Sequence, residues 1–135
     1  MKIMRGGSRP TRRGANTYFT GAVLQDPIIE DEDRARAVVV SFAPGARTFW
    51  HTHPRGQTIH VLHGVGRAQA AGGPVIEMRA GDTIAFMPGE KHWHGAAPGH
   101  AMTHVAIHEA ENGVTVEWLE PVSDADYAAE AAREG

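Results

Sequence analysis

The sequence predicts an all-β barrel or sandwich with a short C-terminal helix. Three observations carry that expectation. The apolar runs are short and stop at regularly spaced turn signals. The 16 glycines and 8 prolines supply those turns. No helical period competes until the extreme C-terminal stretch. A chain of 135 residues has length for one domain with a core of its own. Its 41% hydrophobic and 21% charged content sets aside wholesale disorder.

Residues 1–16 read as a basic arm, with Lys2, Arg5, Arg9, Arg12 and Arg13 ahead of any acid. The barrel is expected over 17–122. A first strand runs from Tyr18 to Leu24, and Asp26-Pro27 with Glu30 to Asp33 form an acidic, solvated connection. Short strands follow: Ala37–Phe42, Thr48–His53, Gln57–Leu62, Val65–Ala70, Val75–Met78, Thr83–Met87, His92–Ala96, Ala101–His108 and Val114–Trp118. Pro44-Gly45, His63-Gly64, Pro88-Gly89 and Asn112-Gly113 are among the turns between them, the last a strong hairpin pair. Over 123–135 a helix is expected. Ser123 to Asp126 resembles a capping box, and an Ala-rich run to Arg133 follows.

Composition narrows function. A net charge of −3 lacks the basic field of a nucleic-acid binder. The absence of cysteine excludes disulfides, thiolate metal sites and a cysteine nucleophile. No stretch is long and apolar enough for a membrane helix or a signal-peptide core, so a soluble cytoplasmic protein is expected. The 9 histidines point instead to imidazole-based metal or acid–base chemistry. His51 and His53 lie two apart on an expected strand, so both rings project to one face. Gln57 follows a Pro54-Arg55-Gly56 turn and can return its side chain towards them. His92-Trp93-His94 repeats the H-x-H pattern behind Pro88-Gly89. In a closed barrel these rings can meet on one ion, and imidazole suits first-row metals.

The spacing of Gly45, His51, His53, Gln57 and Gly64 resembles the first cupin motif, with Gln57 where Glu is usual. Gly81, Pro88-Gly89 and His92 resemble the second, with the proline shifted by one and Ala96 in place of the final Asn. The stretches Trp50-His51-Thr52-His53-Pro54 and Pro88 to Pro98, with Ala101-Met102-Thr103-His104, are more specifically similar to manganese cupins with hydroxynitrile lyase activity. The resemblance implies a cupin jelly-roll β-barrel that commonly dimerises, so a homodimer or higher homo-oligomer is expected. It also implies manganese held by His51, His53, Gln57 and His92, with His94 and His104 near the substrate. Iron, nickel or zinc suit the same N/O donors.

With Gln57 in place of Glu, four neutral ligands leave a divalent centre at +2 rather than +1, a stronger Lewis acid. His104 and His108 lie on one strand face with Met102 and Ala106, and that face is expected to line the cavity. His104 is the first acid–base candidate, His94 the next, and His108 a further titratable group in the pocket. Val38, Val40, Phe42, Phe49, Ile59, Val61 and Phe86 are expected in the apolar wall. Trp50 and Trp93 alternate against the histidines and should pack away from the metal. The leading function is a metal-dependent lyase that acts on a cyanohydrin, or on an aldehyde plus cyanide. A cupin dioxygenase or other oxidoreductase and a non-catalytic small-molecule binding protein are the alternatives.

Overall fold

The computed structural model describes residues 1–31 and 34–133. Among the described residues twelve strands form one curled sheet: β1 (Arg12–Arg13), β2 (Phe19–Thr20), β3 (Val23–Glu30), β4 (Ala35–Phe42), β5 (Arg47–Thr48), β6 (His51–Thr52), β7 (Gln57–Ala70), β8 (Ile76–Arg79), β9 (Thr83–Phe86), β10 (His92–Ala96), β11 (Met102–Glu109) and β12 (Glu117–Trp118). The main path runs β1-β3-β4-β11-β7-β10-β5-β2, and every pairing is antiparallel.

β7 closes the barrel. Its first half pairs with β11 and β9, and its second half with β10 and β8. One strand therefore serves both walls, turning between them at Gly64. That residue has φ +88°, and a Cβ there would lie 2.0 Å from the Ala101 carbonyl oxygen. Only glycine fits both the backbone angle and the close approach. The two runs expected on either side of His63-Gly64 are thus a single strand.

Other expectations are corrected by the same register. The strand expected at Tyr18–Leu24 divides at Gly21, so Phe19 pairs with Thr48 and Val23 with Phe42. Asp26 and Pro27 lie inside β3 rather than in a connection, and a register shift between Pro27 and Ile29 accommodates the missing N–H. Of the acidic stretch, Glu30 ends β3 and Asp31 follows it, while Glu32 and Asp33 lie outside the described residues. The basic arm is tied down at its end: Arg12 and Arg13 pair with Gln25 and Leu24. Val114 to Trp118 shortens to β12, although the Asn112-Gly113 turn forms with positive φ at both residues. The helix is one turn, α1 (Asp124–Tyr127), with the Ser123 side chain accepting from the Asp126 N–H as its cap. Past it the chain turns at Ala128, and Ala132 bridges to Ile76. The last two residues of the predicted helix lie outside the described residues.

Alternation along the strands sorts two cores. Val23, Phe42, Ile59, Val61, Met78, Phe86 and Met102 pack inside the barrel. Trp50, Val75, Trp93, Val122 and Tyr127 pack outside it, as the alternation of Trp50 and Trp93 against the histidines requires. The Tyr127 hydroxyl donates to the Ala96 carbonyl at 2.6 Å, and the Arg47 guanidinium lies 4.3 Å from the Tyr127 ring centre. The one-turn helix therefore covers the outer face of the strand that carries His92 and His94.

Candidate metal centre and acid–base pair

Cross-strand register brings the histidines together. His51 on β6 is the direct partner of His92 on β10, so their side chains share the inward face. His53 follows two residues on, and its carbonyl accepts from the N–H groups of Gly56 and Gly89. Both motif turns are thereby held against it. The ligand nitrogens of His51, His53 and His92 lie within 4.8 Å of one another, and all three residues are buried. Gln57, also buried, points its Oε1 at the His92 Nε2 from 2.8 Å.

Each ring of this triad has a main-chain carbonyl at its other nitrogen. His51 Nδ1 lies 2.9 Å from the Phe49 oxygen, His53 Nδ1 2.6 Å from that of Thr115, and His92 Nδ1 2.8 Å from that of Glu90. A carbonyl only accepts, so on His51 and His53 the proton belongs on Nδ1 and the Nε2 lone pair turns inward, whereas His92 has an acceptor oxygen at each nitrogen, Glu90 at Nδ1 and Gln57 at Nε2. Burial also holds the rings neutral, pushing His92 down to about 4 and His51 well below the usual histidine value. His53 Nε2 is buried with no hydrogen-bond partner. Neutral imidazoles with anchored Nδ1–H groups and converging lone pairs are what a divalent cation requires. The donor set fits a metal ion.

His94 and His104 are built differently. His94 lies two residues beyond His92, and its main-chain N–H donates to Thr48 Oγ1 at 3.2 Å. Its Nδ1 faces His104 Nε2 at 2.9 Å, while its own Nε2 is buried without a partner. Burial first, then neighbouring histidines led by His104, drives its pKa well below the usual value. His104 is fully buried, and burial lowers it to about 3.

A cavity of about 400 Å³ opens onto these groups. His51, His53, Gln57, His94 and His108 line it, whereas His104 stands behind His94. The His108 ring lies 4.6 Å from that of His53, and burial lowers its pKa to about 4. Of the expected apolar wall, Val38 and Val40 line the cavity. Phe42, Ile59, Val61 and Phe86 belong to the packed core beneath it, and Phe49 to neither. Sequence reasoning passed over Arg36, which lines the cavity on β4. Its signal was available: Arg36 continues the inward series Val38, Val40, Phe42 by one step of two.

The fold and the paired histidine motifs define a cupin. The chain belongs to this family: the cupin domain model of the Cupin_2 type matches residues 38–113. It is 51% identical over 129 residues to the (R)-mandelonitrile lyase of Granulicella tundricola, covering 94% of this chain and 98% of that protein. A cupin-like protein from Thermotoga maritima superposes with a TM-score of 0.83 at 36% identity, covering 100% of this chain and 99% of the other. A polyketide cyclase from Streptomyces resistomycificus shares the fold at 22% identity, with a TM-score of 0.63 over 78% of this chain and 75% of its own.

Proposed function

We propose that this protein is a metal-dependent lyase that cleaves or forms the carbon–carbon bond of a cyanohydrin. The observation that carries the reading is that His94, whose buried Nε2 has no hydrogen-bond partner, lines the same cavity as His51, His53 and Gln57. The identity shared with a mandelonitrile lyase supports it. His51, His53, Gln57 and His92 hold the ion, with manganese the metal the resemblance implies. When bound, the metal supplies Lewis-acid stabilisation of negative charge on the substrate oxygen.

In cleavage, His94 Nε2 takes the hydroxyl proton of the cyanohydrin. His94 Nδ1–H then donates to His104 Nε2, which shares the positive charge that has formed on the ring. As the carbonyl forms, the carbon–carbon bonding pair leaves with cyanide. His94 returns its proton to that anion, so the products are aldehyde and hydrogen cyanide. Burial keeps the His94 ring neutral with its Nε2 lone pair unused, and sharing with His104 offsets the cost of the charge the ring gains on accepting the proton. His104 acts through His94 and is a positioning residue. His108 shapes the cavity beside His53.

The test is elemental analysis of the protein as isolated, followed by parallel assays of cyanide release from mandelonitrile and of oxygen uptake. Cyanide release that scales with bound metal is expected. Oxygen consumption without cyanide release would move the protein to the oxygenases. Thermal stabilisation by a ligand with no turnover would make it a binding protein.

A further inference from the structure

One wall of the cavity carries a polar row that this chemistry does not use in full. Register pairs Glu30 with Arg36 across β3 and β4, Arg36 with His108 across β4 and β11, and His108 with Gln57 across β11 and β7. Residues paired in this way share a face, and all four line the cavity. The next row inward, Pro27, Val38 and Ala106, is apolar. Arg36 thus sets a permanent positive charge in this row two strands from the proposed ligand Gln57, with Glu30 beyond it.

Among the described residues no ion pair neutralises that charge. Arg36 Nε is buried and makes no hydrogen bond. Glu30, its cross-strand neighbour, is turned to Arg12 at 2.5 Å and Arg9 at 3.8 Å. Among the described residues no carboxylate pairs with Arg36. On its other flank stands His108, which offers no negative charge in either protonation state. A guanidinium in a partly desolvated wall is a planar fork of donors matched to a carboxylate.

We propose that Arg36 recognises a carboxylate on the substrate, so that the natural substrate is a small acid whose reacting oxygen reaches His94 while its carboxylate pairs with Arg36. The identity of the reacting end rests on the lyase reading; the anion recognition does not. Two strand spacings separate the backbones of Arg36 and Gln57, roughly 10 Å. A substituted aromatic or short aliphatic acid spans that distance inside a cavity of about 400 Å³.

The experiment is calorimetric binding of 4-formylbenzoate and of its neutral amide to the metal-loaded protein, in wild type, Arg36→Gln and Arg36→Lys. Wild type should bind the acid about 10-fold or more tightly than the amide, the scale of one charge-assisted hydrogen-bonded pair. Arg36→Gln should abolish the preference, and Arg36→Lys should keep part of it. Equal binding of acid and amide by wild type overturns the proposal, and that comparison needs no variant to fold. A preference that survives Arg36→Gln, or that disappears in His53→Ala while Arg36→Gln keeps it, also overturns it, the latter by placing the carboxylate on the metal. Cyanide release from the cyanohydrins of the same pair separates the two readings. An intact acid preference without cyanide release defeats the lyase alone, and cyanide release without an acid preference defeats the role of Arg36 alone.

Discussion

The two groups of histidines in this cavity are made of the same side chain and behave as different devices. In the triad of His51, His53 and His92, every Nδ1 faces a main-chain carbonyl. Those carbonyls can only accept, so on His51 and His53 the tautomer is fixed and the Nε2 lone pair is committed inward. In the pair of His94 and His104, the partner of each ring is the other ring. Imidazole can donate or accept, so the proton between them can sit on either nitrogen. The first arrangement holds an ion in place. The second can take up a proton on the cavity side and share the charge behind it. What separates ligand from base in this chain is the group behind the ring.

Breaking the fixed half should have the larger effect. His53→Ala removes a ligand whose lone pair has no other partner. Bound metal should fall by about 100-fold in affinity or more, given that outer-sphere changes alone cost 10–100-fold, and cyanide release should vanish with it. Elemental analysis and rate on one preparation check both; full occupancy would remove His53 from the ligand set.

Breaking the switchable half should spare the metal. His94→Ala should retain wild-type metal content and lose about 10²–10⁴ in cleavage rate, the range for a positioned acid or base. His104→Ala should also keep its metal, with a loss of about 10-fold, because His94 survives without its support. It should in addition shift the pH profile of cleavage, which a merely structural role would leave in place. If His104→Ala sheds metal, His104 supports the ligands and the relay is wrong.

Acid stability sharpens the contrast further. His104 titrates at about 3 in the folded protein against 6.5 for an ordinary histidine. The unfolded chain therefore binds this proton first. The contribution of His104 is complete above pH 6.5 and is lost as pH falls towards 3. Between pH 7 and 5 it should remove about 2 kcal/mol of folding stability. Denaturant titrations of wild type and His104→Gln at both pH values should differ by that amount; parallel acid dependences would show that His104 is not titrated by unfolding.

The smallest expected change concerns charge. Gln57→Glu keeps an oxygen ligand, so metal should remain. One unit less positive charge should weaken cyanide binding to the loaded protein by about 1 kcal/mol or more. Equal or tighter cyanide binding in the Glu variant would refute the charge argument.

Much of this site is legible in the sequence because it is local. Two H-x-H elements behind Pro/Gly turns declare which rings share a face, and the motif spacing brings Gln57 to them. What escapes is whatever depends on register. Nothing near His104 in sequence shows that His94 stands between it and the cavity, because that order comes from β10 and β11 meeting inside a closed barrel. Thr115, whose carbonyl orients His53, lies 62 residues away from it. Arg36 follows the inward alternation of Val38, Val40 and Phe42, but its place beside His108 and in line with Gln57 comes only from the pairing of β4, β11 and β7. The helix fails for a different reason. The Ala-rich run after Tyr127 has helical propensity, but extended pairing of Ala132 with Ile76 wins.

The sheet-switching strand β7 has a consequence for how the molecule opens. Gln57 lies on one wall, while His51, His92 and His94 lie on the other, and the chain that joins the walls at Gly64 is continuous. Neither wall can unzip from β7 without loosening the frame of the other. Amide exchange along β11 and β10 should therefore report one shared opening free energy instead of two, as for a single cooperative unit. Folding is bound by the same continuity. β7 must find partners distant in the chain on both sides before either wall is complete, which makes this a slow folder for its size.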